Sequence, residues 1–159
     1  MYKARRSSKQ LGRAFDERSG RPVQGRMWGN EYRTTVVCVD SYEQSVLTGR
    51  LYNPYLSEGR SFNSLMDFLR VMEELLNGMN FPQPFTSFRS FQKPQEHERS
   101  GPPEDQPQEG KLGTFSVRVI FRQNSSWQGS VSWLEKGVED SFRSVLELLL
   151  LIDSALVKR

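Results

Sequence analysis

The sequence of 159 residues contains one cysteine, Cys38, and one histidine, His97. A lone cysteine excludes an internal disulfide and the Cys-rich ligand sets of structural zinc sites. His97 lies in a segment rich in proline and glutamate, which would not hold it in the fixed geometry that a general base needs. Cys38 lies within an apolar run and is interpreted as a buried, inert thiol. A glycine-rich phosphate loop and metal-ligand spacing are also missing, so the residues give no support for catalysis, and we expect no metal ion and no cofactor.

Long apolar runs are missing as well. No stretch reaches the roughly 18 uncharged apolar residues of a membrane span. The basic start, "MYKARRSSKQ", is not followed by the apolar run of a secretory signal. We therefore expect a cytoplasmic protein with no membrane partner. The apolar fraction of 36% is low for a domain of this size, so the core is expected to come from only part of the chain.

Acidic residues are scarce near the N-terminus. The net charge is +3, but residues 1–33 carry nine Lys or Arg and only three Asp or Glu. This composition, without sustained periodicity, is typical of a flexible basic arm. Two interpretations stay open: a solvated terminus that keeps the protein in solution, or an arm that orders on an anionic partner such as nucleic acid.

Two similar patterns follow the arm. The first, over 34–80, has two β-branched segments, "RTTVVCVD" (33–40) and "VLTGRLYN" (46–53), and then apolar residues at helical spacing from Ser61 to Gly78. The second, over 113–159, has two alternating segments, "GTFSVRVIFRQ" (113–123) and "SVSWLE" (130–135), and then a helical pattern from Ser141. Each pattern is typical of two strands followed by a helix. Strict alternation would place Phe121 on the core face of its strand.

The segment between the two patterns, 81–112, holds six of the eight prolines and is interpreted as a linker. Its first part is rich in phenylalanine, which is costly to leave in water. We therefore expect this part to pack back on the folded domain through Phe81, Phe85, Phe88 and Phe91.

The two patterns align with each other. Residues 41–77, shifted by 80, fall on 121–157 without a gap and meet seven identical residues, where roughly two would be expected by chance. We therefore predict an α+β fold of two tandem ββα units, in which a four-stranded antiparallel sheet carries two helices on one face, and 33–159 form one folded domain. Two alternatives stay open. The halves could be alike only because strand–turn–helix segments share apolar faces and caps, or two chains could pair as a swapped dimer.

The second predicted helix is apolar on nearly all sides. Its predicted core stripe consists of Phe142, Val145, Leu146, Leu149, Ile152 and Leu156. Leu148 and Leu151 lie off that stripe. A helix of this kind is covered on more than one side. It either packs inside the protein, or it presents Leu148 and Leu151 to a partner as a dimer interface.

The strand alternation also leaves a polar sheet face turned away from the helices. Arginine and tyrosine side chains on such a face could contact phosphates and stack on bases, as in sheet-face RNA binders. The predicted nucleic-acid-binding residues are Arg50, Tyr52, Arg118 and Arg122 on the sheet, and Lys3, Arg5, Arg6, Lys9 and Arg13 in the arm. Trp127, in a turn, is either an exposed anchor or a core residue like its aligned counterpart, Leu47.

Two segments occupy the last third of the chain: "VRVIFRQNSSWQGSVSWLEKG" and "SFRSVLELLLLIDSAL". They resemble a stretch shared by small uncharacterised proteins of bacterial mobile elements, some of which are anti-CRISPR inhibitors. The resemblance implies a role as an inhibitor of a CRISPR nuclease and brings no residue-level site. The sequence therefore favours a non-enzymatic binding protein for RNA, DNA or a ribonucleoprotein. The alternative is a protein-only adaptor or inhibitor that works through its second helix as a homodimer.

Overall fold

The fold is known from a computed structural model, which describes residues 29–92 and 107–157. After a short 3-10 helix at Asn30–Arg33, the first half contains β1 (Thr34–Glu43), β2 (Val46–Tyr52), β3 (Arg60–Phe62) and α1 (Leu65–Met79). The second half contains β4 (Gly113–Phe121), β5 (Gln128–Trp133), β6 (Val138–Phe142) and α2 (Val145–Leu156). The strands form one antiparallel sheet in the order β3-β2-β1-β4-β5-β6.

The predicted α+β class, with two helices and an antiparallel sheet, is confirmed, but over the described ranges the sheet has six strands and not four. The prediction of two strands and a helix for each half is incomplete. A third strand precedes each helix: β3 precedes α1 and β6 precedes α2. Both missed strands lie at the edges of the sheet. β3 is only three residues long and β6 ("VEDSF") is almost fully exposed, so neither carries the apolar alternation that marks a strand in a sequence.

Both helices cover the same face of the sheet. Val37 of β1 pairs with Leu51 on one side and with Phe115 on the other, so these three side chains point in one direction. All three are buried in a single core with residues of α1 and α2, among them Phe68 and Leu148. The core therefore lies between one sheet face and the two helices.

Each helix begins three residues later than predicted. Ser61 and Ser141 belong to the edge strands, and the N-caps are Ser64 and Ser144. Each capping hydroxyl accepts a hydrogen bond from the amide three residues on, at 3.0 Å in α1 and 3.1 Å in α2. These bonds satisfy amides that the first helical turn leaves without a partner. In the described part of the chain, no helix is long and apolar enough to cross a membrane.

The two halves occupy matching positions about the centre of the sheet. Val36 of β1 pairs with Ser116 of β4, which is its counterpart 80 residues later. The pairing of β1 with β4 is therefore symmetrical with respect to the two halves. Gly49 faces the last residue of β3, and Gly129 faces the last residue of β6, again with an offset of 80. The register shift after Val39 also recurs after the matching residue of β4.

Each half also reaches across to the helix of the other half. From β1, the Tyr42 hydroxyl donates to Asp153 of α2 at 2.5 Å. The matching contact starts just after β4, where Arg122 lies 3.3 Å from Glu73 of α1. Trp127 is fully buried, and its indole nitrogen also donates to Glu73. Trp127 is thus a core residue, and the core is closed by contacts between the halves.

The phenylalanine-rich segment after α1 packs on the domain only at its start. Phe81 is half-buried against the core, and Arg33 lies over its ring. The Phe85 amide donates to the Arg122 carbonyl, but the Phe85 side chain is 70% exposed. Phe88 is 58% exposed and Phe91 is fully exposed. The expectation that all four rings pack back is therefore wrong for three of them.

Candidate functional site

Arg50 does not lie on an open sheet surface. It is on the face turned away from the helices, as predicted, but it is 94% buried there because 107–110 cross over it. Its guanidinium makes a two-pronged ion pair with Asp40 at 2.9 and 3.1 Å and donates to the carbonyls of Pro107 and Glu109. The hydrogen bond to Asp40 raises the pKa of Arg50. Because all of these partners belong to the protein, the side chain is not available to a phosphate.

Arg122 lies on the opposite face from the one predicted. The register shift between Val119 and Phe121 offsets the alternation, so Phe121 is exposed and Arg122 turns towards α1. Its guanidinium donates to the Pro82 carbonyl and to Asn77, both at 2.7 Å. Burial lowers its pKa, and the nearby carboxylate of α1 opposes that effect.

The two remaining predicted sheet residues are Arg118 and Tyr52, and the part of the chain that the structure describes carries no excess of positive charge to support them. Arg118 is exposed on the face away from the helices, and Tyr52 is half-buried on that face, where its hydroxyl accepts from Arg50. The residues that the structure describes contain ten Lys or Arg and thirteen Asp or Glu. The predicted arm residues, Lys3, Arg5, Arg6, Lys9 and Arg13, lie outside those residues, as does His97.

Cys38 is fully buried in the middle of β1. Burial raises the pKa of its thiol to about 11, and the neighbouring Arg50 lowers it only in part. At neutral pH the group is therefore a protonated thiol without access to solvent, and a nucleophilic role does not fit this environment. Over 29–92 and 107–157, no three His, Cys, Asp or Glu side chains are grouped so that they could hold a metal ion.

The proposed dimer contact on α2 is not where the sequence placed it. Leu148 is completely buried and Leu151 is half-buried against the core. The exposed apolar residues of α2 are Leu146, at 66%, and Leu150, at 57%. The predicted stripe was shifted because α2 is apolar on almost every side, so its periodicity alone did not show which side meets the sheet.

A groove opens between α2 and the last two strands of the sheet. It has a volume of about 190 Å³ and is lined by Phe115, Val131, Trp133, Val138, Leu151 and Ala155, with Glu139, Asp140 and Ser154 at its rim. The rings of Phe115 and Trp133 are stacked with their centroids 6.3 Å apart. The site is thus an apolar slot with two carboxylates beside it.

The matching place in the first half is covered. There the β2–β3 connection spans seven residues, 53–59, whereas the β5–β6 connection spans four, 134–137. Leu56 of the longer connection packs against the core, and Tyr55 packs on the end of α1, where its hydroxyl donates to the Gly78 carbonyl at 3.0 Å. As a result Leu75 of α1 is buried, while its counterpart in α2, Ala155, is only half-buried. The same number of residues separates Gly129 from Phe142 as separates Gly49 from Phe62, but in the second half more of them pair as strands, so fewer are left to cover the groove. Together with the smaller Ala155, this leaves the second groove open.

An edge strand borders the groove. β6 is the last strand of the sheet in the residues described, and four of its five residues are exposed. From its pairing with β5, Val138 and Asp140 turn to the groove, while Glu139 turns to the other face and accepts from Ser132. An exposed edge offers backbone donors and acceptors to an added strand. The groove and the edge together form a site for an extended polypeptide.

No protein-family model, no curated protein and no solved structure matches this chain. The functional assignment therefore rests on the geometry of the site. Sequence reasoning missed this site because it missed β6. The sequence carries no length signal for it, because 41–77 and 121–157 align without a gap; the two connections differ only in how far their strands pair, to Leu51 and Arg60 in the first half and to Trp133 and Val138 in the second.

Proposed function

We propose that this protein is a non-enzymatic binding protein whose second half takes up a polypeptide segment of a partner. The observation that carries the proposal is the apolar groove beside edge strand β6, whose counterpart in the first half is covered by the protein's own loop. A segment laid along β6 would form backbone hydrogen bonds with the edge and place one apolar side chain in the groove. Neighbouring residues of such a segment turn to opposite faces, so the residue next to the apolar one would face Glu139, and that carboxylate favours a basic residue there.

The internal repeat supports an origin by duplication of one βββα unit. The seven identities, the symmetrical β1–β4 pairing, the repeated register shift and the repeated serine caps all fit that origin. On this account a pair of identical units was joined into one chain. One copy then folded the residues between β2 and β3 over its groove, and the other kept them paired in β5 and β6 and its groove open.

A second candidate, nucleic-acid binding, is carried by the charge of the N-terminal segment. Residues 1–28 hold eight Lys or Arg and two Asp or Glu. Such a segment would attract nucleic acid with an affinity that falls steeply with salt. The resemblance of the last third to proteins of mobile elements names ribonucleoproteins, including CRISPR nucleases, as one class of partner to test.

The polypeptide-binding proposal is tested by selecting peptides from a random displayed library on the full chain. We expect enriched peptides with an aromatic or aliphatic residue next to Lys or Arg. Binding of these peptides should be lost on the variant Ala155→Leu, which installs in the groove the residue that the first half carries. If no peptide is enriched, or if the enriched peptides bind the variant equally well, the proposal is wrong.

The nucleic-acid candidate is tested separately. Binding of RNA and DNA is measured for the full chain and for a chain that starts at Gly29, each at low and high salt. Salt-sensitive binding that disappears on truncation supports it, whereas a lack of binding by the full chain at low salt eliminates it.

A further inference from the structure

Three exposed phenylalanines of this chain have apolar side chains that match the apolar lining of the groove. Phe85, Phe88 and Phe91 are each more than half exposed and follow one another at intervals of three residues. Arg89 lies directly after Phe88, and there is no acidic residue between Met79 and Lys93. The segment 85–91 has no helix or strand of its own, so its backbone groups are not committed to a regular element. It is an apolar and basic segment on the surface of a protein that also has an apolar slot with an acidic rim.

Phe88 cannot reach the groove of its own chain. The Phe85 amide is held by the Arg122 carbonyl, just beyond the end of β4, whereas Trp133 in the groove pairs with Phe115 near the start of β4. Seven residues of strand separate Arg122 from Phe115 by about 23 Å. The backbone of Phe88 can extend at most about 10 Å from Phe85. A contact that places Phe88 beside Trp133 therefore has to join two copies of the chain.

Given the proposed polypeptide-binding function on which this step rests, we infer that the groove binds the phenylalanine-rich segment of a second copy. Phe88 of one copy occupies the slot beside Trp133 of the other, and Arg89, which turns to the opposite face, lies against Glu139. The contact joins two different surfaces, so it is heterologous, and a pair of copies still has one free groove on one copy and one free segment on the other. The protein accordingly assembles head to tail and its mass rises with concentration.

The charge match favours this occupant over a symmetrical pairing of two β6 edges. An antiparallel pairing of β6 with itself would bring Glu139 and Asp140 of one copy close to those of the other, and like charges across a strand pair are destabilising. The phenylalanine-rich segment brings the opposite charge together with the apolar side chains. It also covers rings that are otherwise left in water.

Sedimentation velocity of the full chain over a wide concentration range tests the inference. We expect Phe88→Ser to weaken self-association about tenfold to a hundredfold, since burying one Phe side chain contributes that much. Ala155→Leu should weaken it similarly by filling the slot. An equimolar mixture of the two variants, one with an intact groove and the other with an intact segment, should form one-to-one pairs and nothing larger.

Charge variants add a test that does not depend on the fold. Glu139→Lys should weaken assembly, and combining it with Arg89→Glu should restore it. The control is Glu58→Lys, which makes the same charge change at an exposed residue of the β2–β3 connection in the first half and should leave assembly unchanged. Circular dichroism of each variant checks that it is folded.

The result that overturns the inference is a chain that stays monomeric at every concentration, or an oligomer unaffected by both the groove and the segment variants. This failure is distinguishable from failure of the polypeptide-binding function. If displayed peptides bind the groove but the chain stays monomeric, the groove is a polypeptide-binding site and only the inference that a second copy fills it is wrong. If no peptide responds to Ala155→Leu, the groove itself is not a binding site.

Discussion

At the scale of single residues, two arginines and one cysteine stabilise the interior rather than serve a surface. Arg50 pairs with Asp40 and ties the segment 107–110 to the sheet. Arg122 ties the end of β4 to α1. Cys38 is a small apolar side chain in the same layer as Arg50. Because buried charges are tolerated only when paired, both arginines depend on named partners.

The ion pair of Arg50 gives a pH-dependent prediction. Asp40→Asn should lower the free energy of unfolding by about 2–3 kcal/mol at neutral pH, because it leaves a buried guanidinium without its counter-charge. Burial raises the pKa of Asp40, but hydrogen bonds from Arg50 and the Lys111 amide outweigh this and lower it below its ordinary value of 3.8. A lowered folded-state pKa gives stability that is present above that ordinary value and is lost as the pH falls through the folded-state pKa.

The difference between wild type and Asp40→Asn should therefore narrow in acid. Urea unfolding followed by circular dichroism, at neutral pH and at successively lower pH, measures it. The control is Glu43→Gln, an exposed residue at the end of the same strand, which should change stability by less than about 0.5 kcal/mol. A constant difference at all pH values would show that the charge of Asp40 does not matter.

The single cysteine allows a direct test of burial. A pKa near 11 in place of 9.0 lowers the thiolate fraction at mildly alkaline pH by about a hundredfold, and burial adds a barrier to access. We expect a thiol reagent to label the native chain more than about a hundredfold more slowly than the urea-unfolded chain. Labelling at equal rates would show that β1 opens readily.

At the scale of elements, the sheet depends on two glycines at matching places. A side-chain carbon added at Gly49 would lie 2.0 Å from the Cys38 carbonyl oxygen, and one added at Gly129 would lie 1.7 Å from the Arg118 carbonyl oxygen. Both sit beside a register shift, where the partner backbone comes unusually close.

Gly49→Ala and Gly129→Ala should each lower the free energy of unfolding by more than about 3 kcal/mol, because the backbone must move to relieve the clash. The control is Gly137→Ala, in the β5–β6 turn. Its backbone has a φ of +63° but its surroundings are open, so only about 1 kcal/mol of strain is expected. Thermal unfolding of the three variants ranks them, and a small effect at both sheet glycines would contradict the close approach.

The open groove predicts a stabilising substitution between α2 and β5. Ala155→Leu should raise the free energy of unfolding by about 1 kcal/mol, because the added carbons enter an apolar slot. The melting temperature is the measurement, and Ser154→Ala, at the rim, is the control with little expected change. A loss of stability would mean that the slot is too small for the larger side chain.

At the scale of the whole molecule, the two halves are held together at their centre. β1 and β4 pair over six residues, and each half also contributes a side chain to the helix of the other. Either half alone would expose its central strand and the apolar face beside it. The stability of the fold is thus a property of both halves together.

Separated halves should accordingly be unfolded. Chains covering 29–92 and 107–157 are each expected to give the poorly dispersed amide spectrum of an unfolded chain, and mixing them should restore dispersion. The intact chain should unfold in one transition by circular dichroism and by tryptophan fluorescence. A folded spectrum from either half alone would show that the shared sheet is not needed.

Apolar periodicity was enough to predict the two long helices, the four central strands and the spacing of 80 residues between them. It did not determine the polar edge strands, because edges are held by backbone pairing that leaves no apolar pattern. It could not place Arg122, since one extra residue in a strand reverses the direction of every side chain after it. Which face of α2 is buried, and why one groove is open and the other covered, follow only from the folded chain, because they depend on how far the edge strands pair and on packing between segments far apart in the chain.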